Sequence, residues 1–155
     1  MVLTRNVAIE IGSSYCTLIT SDGFELKTKS RVFISLRNLK PLPYLYGEDI
    51  HIHSFNIRAV ELFSDDTQYH FVDFMINLLL KEMRKQNRFW HFFQKEKITL
   101  LLPYSFDQKT VDDIVKKLNQ AKIFPCLVTT KLDCYCKMEQ ERIHDEFFEH
   151  NVRVI

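Results

Sequence analysis

Glycine, proline and long apolar runs are all scarce in this sequence. Its 155 residues include three glycines and four prolines, and we find neither an internal repeat nor a low-complexity linker. No apolar run approaches the roughly 20 residues that a membrane-spanning helix needs. The N-terminus has no secretory signal peptide, since Arg5 and Asn6 lead directly into a strand-like run. We therefore expect a cytoplasmic protein without a transmembrane segment.

Charge of neither sign is in excess. Lysine and arginine number 21 against 20 aspartates and glutamates, a formal net charge of +1. Proteins that bind nucleic acid by neutralising phosphates need a basic surface, so we expect no nucleic-acid partner. The most basic stretch, residues 81–88, falls at the end of a predicted helix, where cations complement the helix dipole. We interpret it as a solvated helix end.

Cysteine is present at four positions, Cys16, Cys126, Cys134 and Cys136. Without a secretory signal, free thiols are expected in preference to disulfides. Cys134 and Cys136 are two positions apart, which is not the usual C-x₂-C spacing of a zinc site. A zinc site completed by Cys126 and His144, or a redox role for the close pair, stays an alternative, but we predict no metal site.

The pattern of apolar residues predicts three strands or more in the first third, followed by alternating helices and strands. Strands are predicted at 7–11, 15–20, 24–28, 31–36, 97–102 and 123–129, and helices at 71–83, from Ser105 or Asp107 onward, and at 137–149. Pro41 and Pro43 are expected to break any element around them. This order predicts an α/β fold of the ribonuclease H-like type, a mixed sheet with flanking helices. Residues 1–155 would form one domain, with a divergent helix and strand at 130–155.

One segment combines a strand, a glycine-containing turn and a returning strand. Gly12, Ser13 and Ser14 form the turn, and small residues there let backbone N–H groups approach a phosphate while hydroxyls add donors. Ordinary hairpins use the same residue types, so a purely structural turn remains the alternative.

This hairpin resembles the first phosphate-binding hairpin of the actin-like ATPase superfamily. Gly12 and Ser13 match the family pattern, Glu10 stands where the family has Asp, and Cys16 stands where Ser or Thr is common. The order and spacing of later segments, including the one that starts at Ser30, resemble the MreB proteins over nearly the whole chain. The resemblance implies a single lobe of an actin-like ATPase fold.

The departures from the family pattern bear on activity. The second phosphate hairpin, Asp-x-Gly-Gly-Gly-Thr, and the adenosine-binding Gly-Gly segment are absent, and residues 131–133 read Lys-Leu-Asp in place of the family's Glu-Pro. In the family the residue equivalent to Glu10 lies near the metal and phosphates, and the longer Glu displaces that carboxylate. A misplacement of about 1 Å can cost about 100-fold in rate. We expect no hydrolysis by this chain alone and no cofactor, with Mg-ATP binding only beside a partner lobe.

The resemblance therefore implies a truncated MreB-like protein that acts as a non-catalytic interaction or assembly module, with a protein partner or a second copy of itself, as in a cytoskeletal or cell-shape complex. The alternative is half of a split ATPase, in which Gly12, Ser13 and Ser14 contact phosphate and Glu10 organises Mg²⁺. A metal-dependent nuclease is a further alternative, since this fold type carries a carboxylate on its first strand. It would need Asp133 or Glu139 beside Glu10.

Overall fold

The computed structural model describes residues 3–47, 56–63, 71–86, 94–103 and 105–153. The sequence also predicts a short alternating strand at residues 50–53, a helix N-cap at Asp65 or Asp66 and a helix end covered by Trp90, and all three predictions lie outside these residues. The elements in chain order are β1 (Leu3–Ile11), β2 (Tyr15–Thr20), β3 (Glu25–Lys29), β4 (Arg31–Ser35), β5 (Pro41–Tyr46), β6 (Ile57–Glu61), α1 (Val72–Gln86), β7 (Gln94–Leu102), α2 (Gln108–Gln120), β8 (Leu127–Thr130) and α3 (Lys131–Arg153).

The main sheet has five strands in the order β3-β2-β1-β7-β8, with β1 at its centre. Ile9 in β1 lies opposite Leu18 of the antiparallel β2 and opposite Leu100 of the parallel β7. Alternate residues of a strand point to opposite faces of the sheet, so Val7, Ile9 and Ile11 are buried together. The mixed α/β sheet with flanking helices confirms the predicted fold class.

Helix α1 supplies much of the core that covers this sheet. Its apolar residues recur at intervals of three and four, and they are buried in one cluster with Ile9, Leu18 and Leu100. Each fully buried side chain of this type contributes roughly 1.5–3 kcal/mol relative to exposure. The buried members on α1 are Val72, Met75, Ile76, Leu79, Leu80 and Met83. Met75, Leu79 and Met83 of the predicted apolar stripe are thus confirmed as core, whereas its members Phe71 and Phe74 are partly buried against that core.

A second, three-stranded sheet has the order β5-β4-β6. Val32 of β4 lies opposite Tyr46 of β5 and opposite Val60 of β6. The prediction that Pro41 and Pro43 break any element was wrong, because both lie in β5. Proline cannot donate to a strand ladder, but an edge strand tolerates it at its first residue or where its nitrogen faces outward. Strand β5 is such an edge strand, and Pro41 is its first residue.

The C-terminal elements differ from the predicted ones in their bounds. Strand β8 starts at Leu127, later than the predicted 123, because buried Ile123 instead packs at the end of α2, where its N–H donates to the Leu118 carbonyl. Helix α3 starts at Lys131 and continues through Arg153, so the predicted terminal strand is wrong where it overlaps the helix. No glycine or proline follows Cys126 to end that helix. Each described helix is too short or too polar to span a lipid bilayer.

Candidate functional site at the first hairpin

The turn between β1 and β2 depends on Gly12. Its backbone N–H donates to the Tyr15 carbonyl at 3.0 Å, closing the turn. A Cβ atom on Gly12 would collide with that same carbonyl oxygen. Only glycine leaves room for the backbone to close so tightly. Ser13 and Ser14 lie at the exposed tip of this turn, so the structure places all three predicted phosphate-contact residues in one hairpin.

Ser30 holds the hairpin from the inside. Its hydroxyl donates to the Gly12 carbonyl at 2.5 Å, and its backbone N–H donates to the Ser14 carbonyl at 3.0 Å. Ser30 is fully buried and precedes β4, so it couples the turn to the second sheet. Sequence reasoning missed this role. The resemblance of the segment that starts at Ser30 to MreB was the one available signal.

Cys16 lies beside Ser30 in the interior, with its Sγ 3.3 Å from the Ser30 Oγ. Burial raises the pKa of the Cys16 thiol, and the hydrogen bond with Ser30 offsets this only in part. A thiol is far less nucleophilic than a thiolate, so we expect the buried Cys16 to react slowly with electrophiles. Cys16, which stands where the family pattern has Ser or Thr, is therefore an internal packing residue.

Glu10 forms an ion pair across the mouth of the hairpin. Its Oε1 lies 2.6 Å from the Nζ of Lys131, and both side chains are part-exposed, at 44% and 39%. Glu10 lies near the end of β1, and Lys131 directly follows β8, two strands away in the sheet. Strands β1, β7 and β8 are parallel, so their carboxyl ends meet at one edge of the sheet. The sequence analysis noted residue 131 only as a departure from a family pattern.

The Lys131 amino group also lies next to the turn itself. Its Nζ is 3.8 Å from the point where a Cβ on Gly12 would stand. Acidic Glu10, the glycine turn, two exposed serine hydroxyls and one ammonium therefore lie within one small region. The ammonium and the hydroxyls can donate hydrogen bonds to an anion, whereas the carboxylate is already paired.

These residues do not fit a divalent metal ion. The carboxylate oxygen that would bind a metal contacts an ammonium group instead. Within the part of the chain that the structure describes, no group of three or more His, Cys, Asp or Glu residues could hold a metal ion.

Of the carboxylates of the nuclease alternative, Glu139 is paired and distant from Glu10, and Asp133 belongs to no metal-binding group among the described residues. Asp133 is exposed in the first turn of α3, where its backbone N–H donates to the Thr130 hydroxyl at 3.2 Å. Glu139 pairs with Arg142 at 2.9 Å and lies about 12 Å along the helix from Lys131, at about 1.5 Å per residue. The structure does not bring Glu139 to Glu10, so the nuclease set is not assembled.

The remaining sequence candidates are placed as follows. Cys126 and Cys136 are exposed free thiols, and Cys126 donates to the Ile98 carbonyl at 3.2 Å. The side chain of His144 lies outside the described residues. In the basic stretch, Arg84 pairs with Glu96 at 2.7 Å and Lys85 with Glu82 at 3.3 Å.

Comparison with solved structures identifies the class of fold. Matching chains include the actin-like proteins MamK and MreB5, with TM-scores from 0.52 to 0.60. At 10–14% identity this likeness concerns the fold, and it confirms the actin-like resemblance inferred from the sequence. No protein-family model matches the sequence, and no curated protein matches it.

Three of these structures show the extent of the likeness. A non-polymerising mutant of MamK bound to AMPPNP matches at 13% identity and TM-score 0.60, over 84% of this chain and 42% of that one. MreB5 of Spiroplasma citri bound to ADP matches at 10% identity and TM-score 0.57, over 83% and 38%. The MamK double helical filament matches at 14% identity and TM-score 0.52, over 82% and 41%. This chain thus spans about two fifths of the length of the chains that it matches.

Proposed function

We propose that this chain is an assembly module with an actin-like fold, which binds protein partners, including further copies of itself, and does not hydrolyse ATP. The observation that carries the proposal is the ion pair between Glu10 and Lys131 at the mouth of the hairpin. In this pair the Lys131 ammonium contacts the one carboxylate to which the family resemblance assigns a role in phosphate chemistry.

Hydrolysis needs more than a phosphate-binding turn. Phosphoryl transfer depends on metal ions, charge clamps on the transferred group and a positioned water. Here Glu10 is engaged by Lys131, and no metal-binding cluster is present among the described residues. Removing or misplacing such groups costs orders of magnitude in rate. The scaffold therefore supports binding better than turnover.

An exposed apolar surface supports the assembly role. Tyr135 and Met138 on α3 are each 66% exposed, and residues three apart lie on one face of a helix. Phe124 and Leu127, before and at the start of β8, are also large exposed apolar side chains. Exposed apolar side chains that share one face, as Tyr135 and Met138 do, are typical of protein interfaces. MamK forms a double helical filament and has a non-polymerising mutant, which makes a cytoskeletal or cell-shape complex the setting that we propose.

Sedimentation velocity over a concentration series tests the assembly role. We expect concentration-dependent self-association, weakened at least about tenfold in the double variant Tyr135→Ser, Met138→Ser, since each interface side chain can contribute more than about 1 kcal/mol. The matched control is Ile19→Ser, which removes a large exposed apolar side chain from β2, away from this surface. Association that Ile19→Ser weakens as much as the double variant would contradict the assigned surface.

Phosphate release from Mg-ATP tests the absence of turnover. We expect no release above the protein-free blank, and the same result for Glu10→Gln. Release that Glu10→Gln abolishes would show that the hairpin is catalytic and would contradict the proposal.

A second candidate is half of a nucleotide site that a partner lobe completes. The observation that favours it is the closed Gly12 turn with exposed Ser13 and Ser14 at its tip. MreB5 of Spiroplasma citri binds ADP and AMPPNP. Calorimetric titration with ATP or ADP tests this candidate: binding that Gly12→Ala abolishes, while Ile19→Ser retains it, would favour the half-site over the assembly module.

A further inference from the structure

Magnesium ions in proteins are held by one or two carboxylates together with water and phosphate oxygens, at about 2.0–2.1 Å. At the first hairpin, Glu10 supplies the carboxylate that could hold such an ion. Its Oε1 lies 2.6 Å from the Lys131 Nζ, the distance of a charge-assisted hydrogen bond. A divalent ion on this oxygen would share the same small volume with an ammonium of like sign.

The ammonium is placed there by the fold. Lys131 follows Thr130, which is held in the sheet opposite Leu102, and the Thr130 hydroxyl accepts a hydrogen bond from the Asp133 N–H at 3.2 Å. Strand pairing on one side and the start of α3 on the other therefore fix the Lys131 backbone. Its side chain reaches the Gly12 turn from this anchor.

We infer that Lys131 takes the place of a divalent cation at this hairpin and excludes such an ion from Glu10. The inference deepens the proposed function and rests on it for the choice of site. It gives a physical reason for the proposed absence of turnover, because an ammonium group occupies the place of the metal ion on which phosphoryl transfer depends. The Lys131 ammonium has two further N–H donors, so it can still donate a hydrogen bond to an anionic ligand at Gly12.

Paramagnetic broadening by Mn²⁺ tests the inference directly. The amide resonances of Gly12, Ser13 and Ser14 are followed in ¹⁵N-labelled protein during a titration with MnCl₂ alone. We expect no selective broadening of these three in the native chain. In Lys131→Glu, two carboxylates face each other, and selective broadening should begin at an Mn²⁺ concentration lower by on the order of tenfold, as the sign of the nearby charge reverses.

The matched control is Lys137→Glu, which makes the same charge change at an exposed position of α3 and should behave as the native chain. If Lys131→Glu loses the dispersed spectrum of a folded protein, the neutral Lys131→Gln replaces it, with a smaller shift in the same direction. Selective broadening in the native chain equal to that in the variant would overturn the inference. A folded Lys131→Glu variant in which the resonances of Gly12, Ser13 and Ser14 remain unbroadened would also overturn the inference. The readout needs neither self-association nor turnover, so its failure is distinct from failure of the proposed function.

Discussion

The Cys16 Sγ and the Ser30 Oγ lie 3.3 Å apart in the interior, although Cys16 belongs to the main sheet and Ser30 directly precedes a strand of the second sheet. Cys16 lies in β2, and Ser30 comes directly before β4, where its carbonyl accepts a hydrogen bond from the Leu62 N–H at 2.9 Å. The same Ser30 hydroxyl donates to Gly12. The geometry of the exposed turn is therefore set by a buried polar contact behind it.

Replacing Ser30 with alanine removes the donor to the Gly12 carbonyl in a fully buried place. An unsatisfied buried group costs about 1–3 kcal/mol, so Ser30→Ala should lower the free energy of unfolding by that amount in urea titrations. Ser14→Ala, at the exposed tip, should change it by less than about 0.5 kcal/mol. Equal unfolding midpoints for the native chain and Ser30→Ala would show that the buried contact contributes nothing.

Gly12→Ala tests the tightness of the turn. The new Cβ meets the Tyr15 carbonyl oxygen, a backbone atom that cannot swing aside, and overpacking of this kind costs typically about 1–3 kcal/mol. Urea unfolding should report the loss, and the amide resonances of residues 12–15 should shift. The neighbouring substitution Ser13→Ala, at the exposed tip, should change the free energy of unfolding by less than about 0.5 kcal/mol. A Gly12→Ala protein with native stability would mean that the turn relaxes freely.

The buried Arg5 and the Asp22 carboxylate predict a pH dependence. The Thr20 hydroxyl donates to Asp22 and lowers its pKa, and the Arg5 guanidinium at 3.1 Å adds to this against partial desolvation. Because the folded pKa is below the ordinary 3.8, the stabilisation is complete above that value and is lost as the pH falls through the folded pKa. Between about pH 6 and about pH 2, a range that includes the usual pKa values of carboxyl groups, urea unfolding should show that the free energy of unfolding falls less steeply in Asp22→Asn than in the native chain.

The control for that pH series is Asp113→Asn, an exposed carboxylate on α2. It removes one negative charge without touching the Arg5 contact, so its acid loss should follow the native curve. If both variants reduce the loss of unfolding free energy at low pH equally, that loss depends on net charge and not on the contact among Arg5, Asp22 and Thr20.

Thiol alkylation should separate the cysteines by burial. Cys16 is buried with a raised pKa, whereas Cys126 and Cys136 are exposed, and the thiolate is the reactive form. Iodoacetamide followed by peptide mass spectrometry should label Cys126 and Cys136 first, with Cys16 at least about tenfold slower. Cys16 should react readily once urea unfolds the chain. Early labelling of Cys16 in the folded protein would contradict its interior position.

The elements with a clear period were predicted well from the sequence. Strand β2 has the predicted bounds, and the α1 stripe from Met75 to Met83 is core. Both could be predicted because the spacing of apolar residues within a short segment indicates which side chains are buried. The errors came where context decides. Pro41 is tolerated because β5 has an open edge, and Ile123 packs at the end of α2, outside the sheet. Neither fact is visible in a short window of sequence.

The sequence by itself determined the local chemistry of the candidate site: a glycine that a tight turn requires at residue 12, two serines after it, and a carboxylate two positions before it. Only the tertiary structure decided what faces that carboxylate. Parallel pairing of β1, β7 and β8 brings Lys131 to within 2.6 Å of Glu10, and a buried Ser30 supports the turn. Such contacts join residues far apart in the chain, and they arise from strand register and order, which no local pattern encodes.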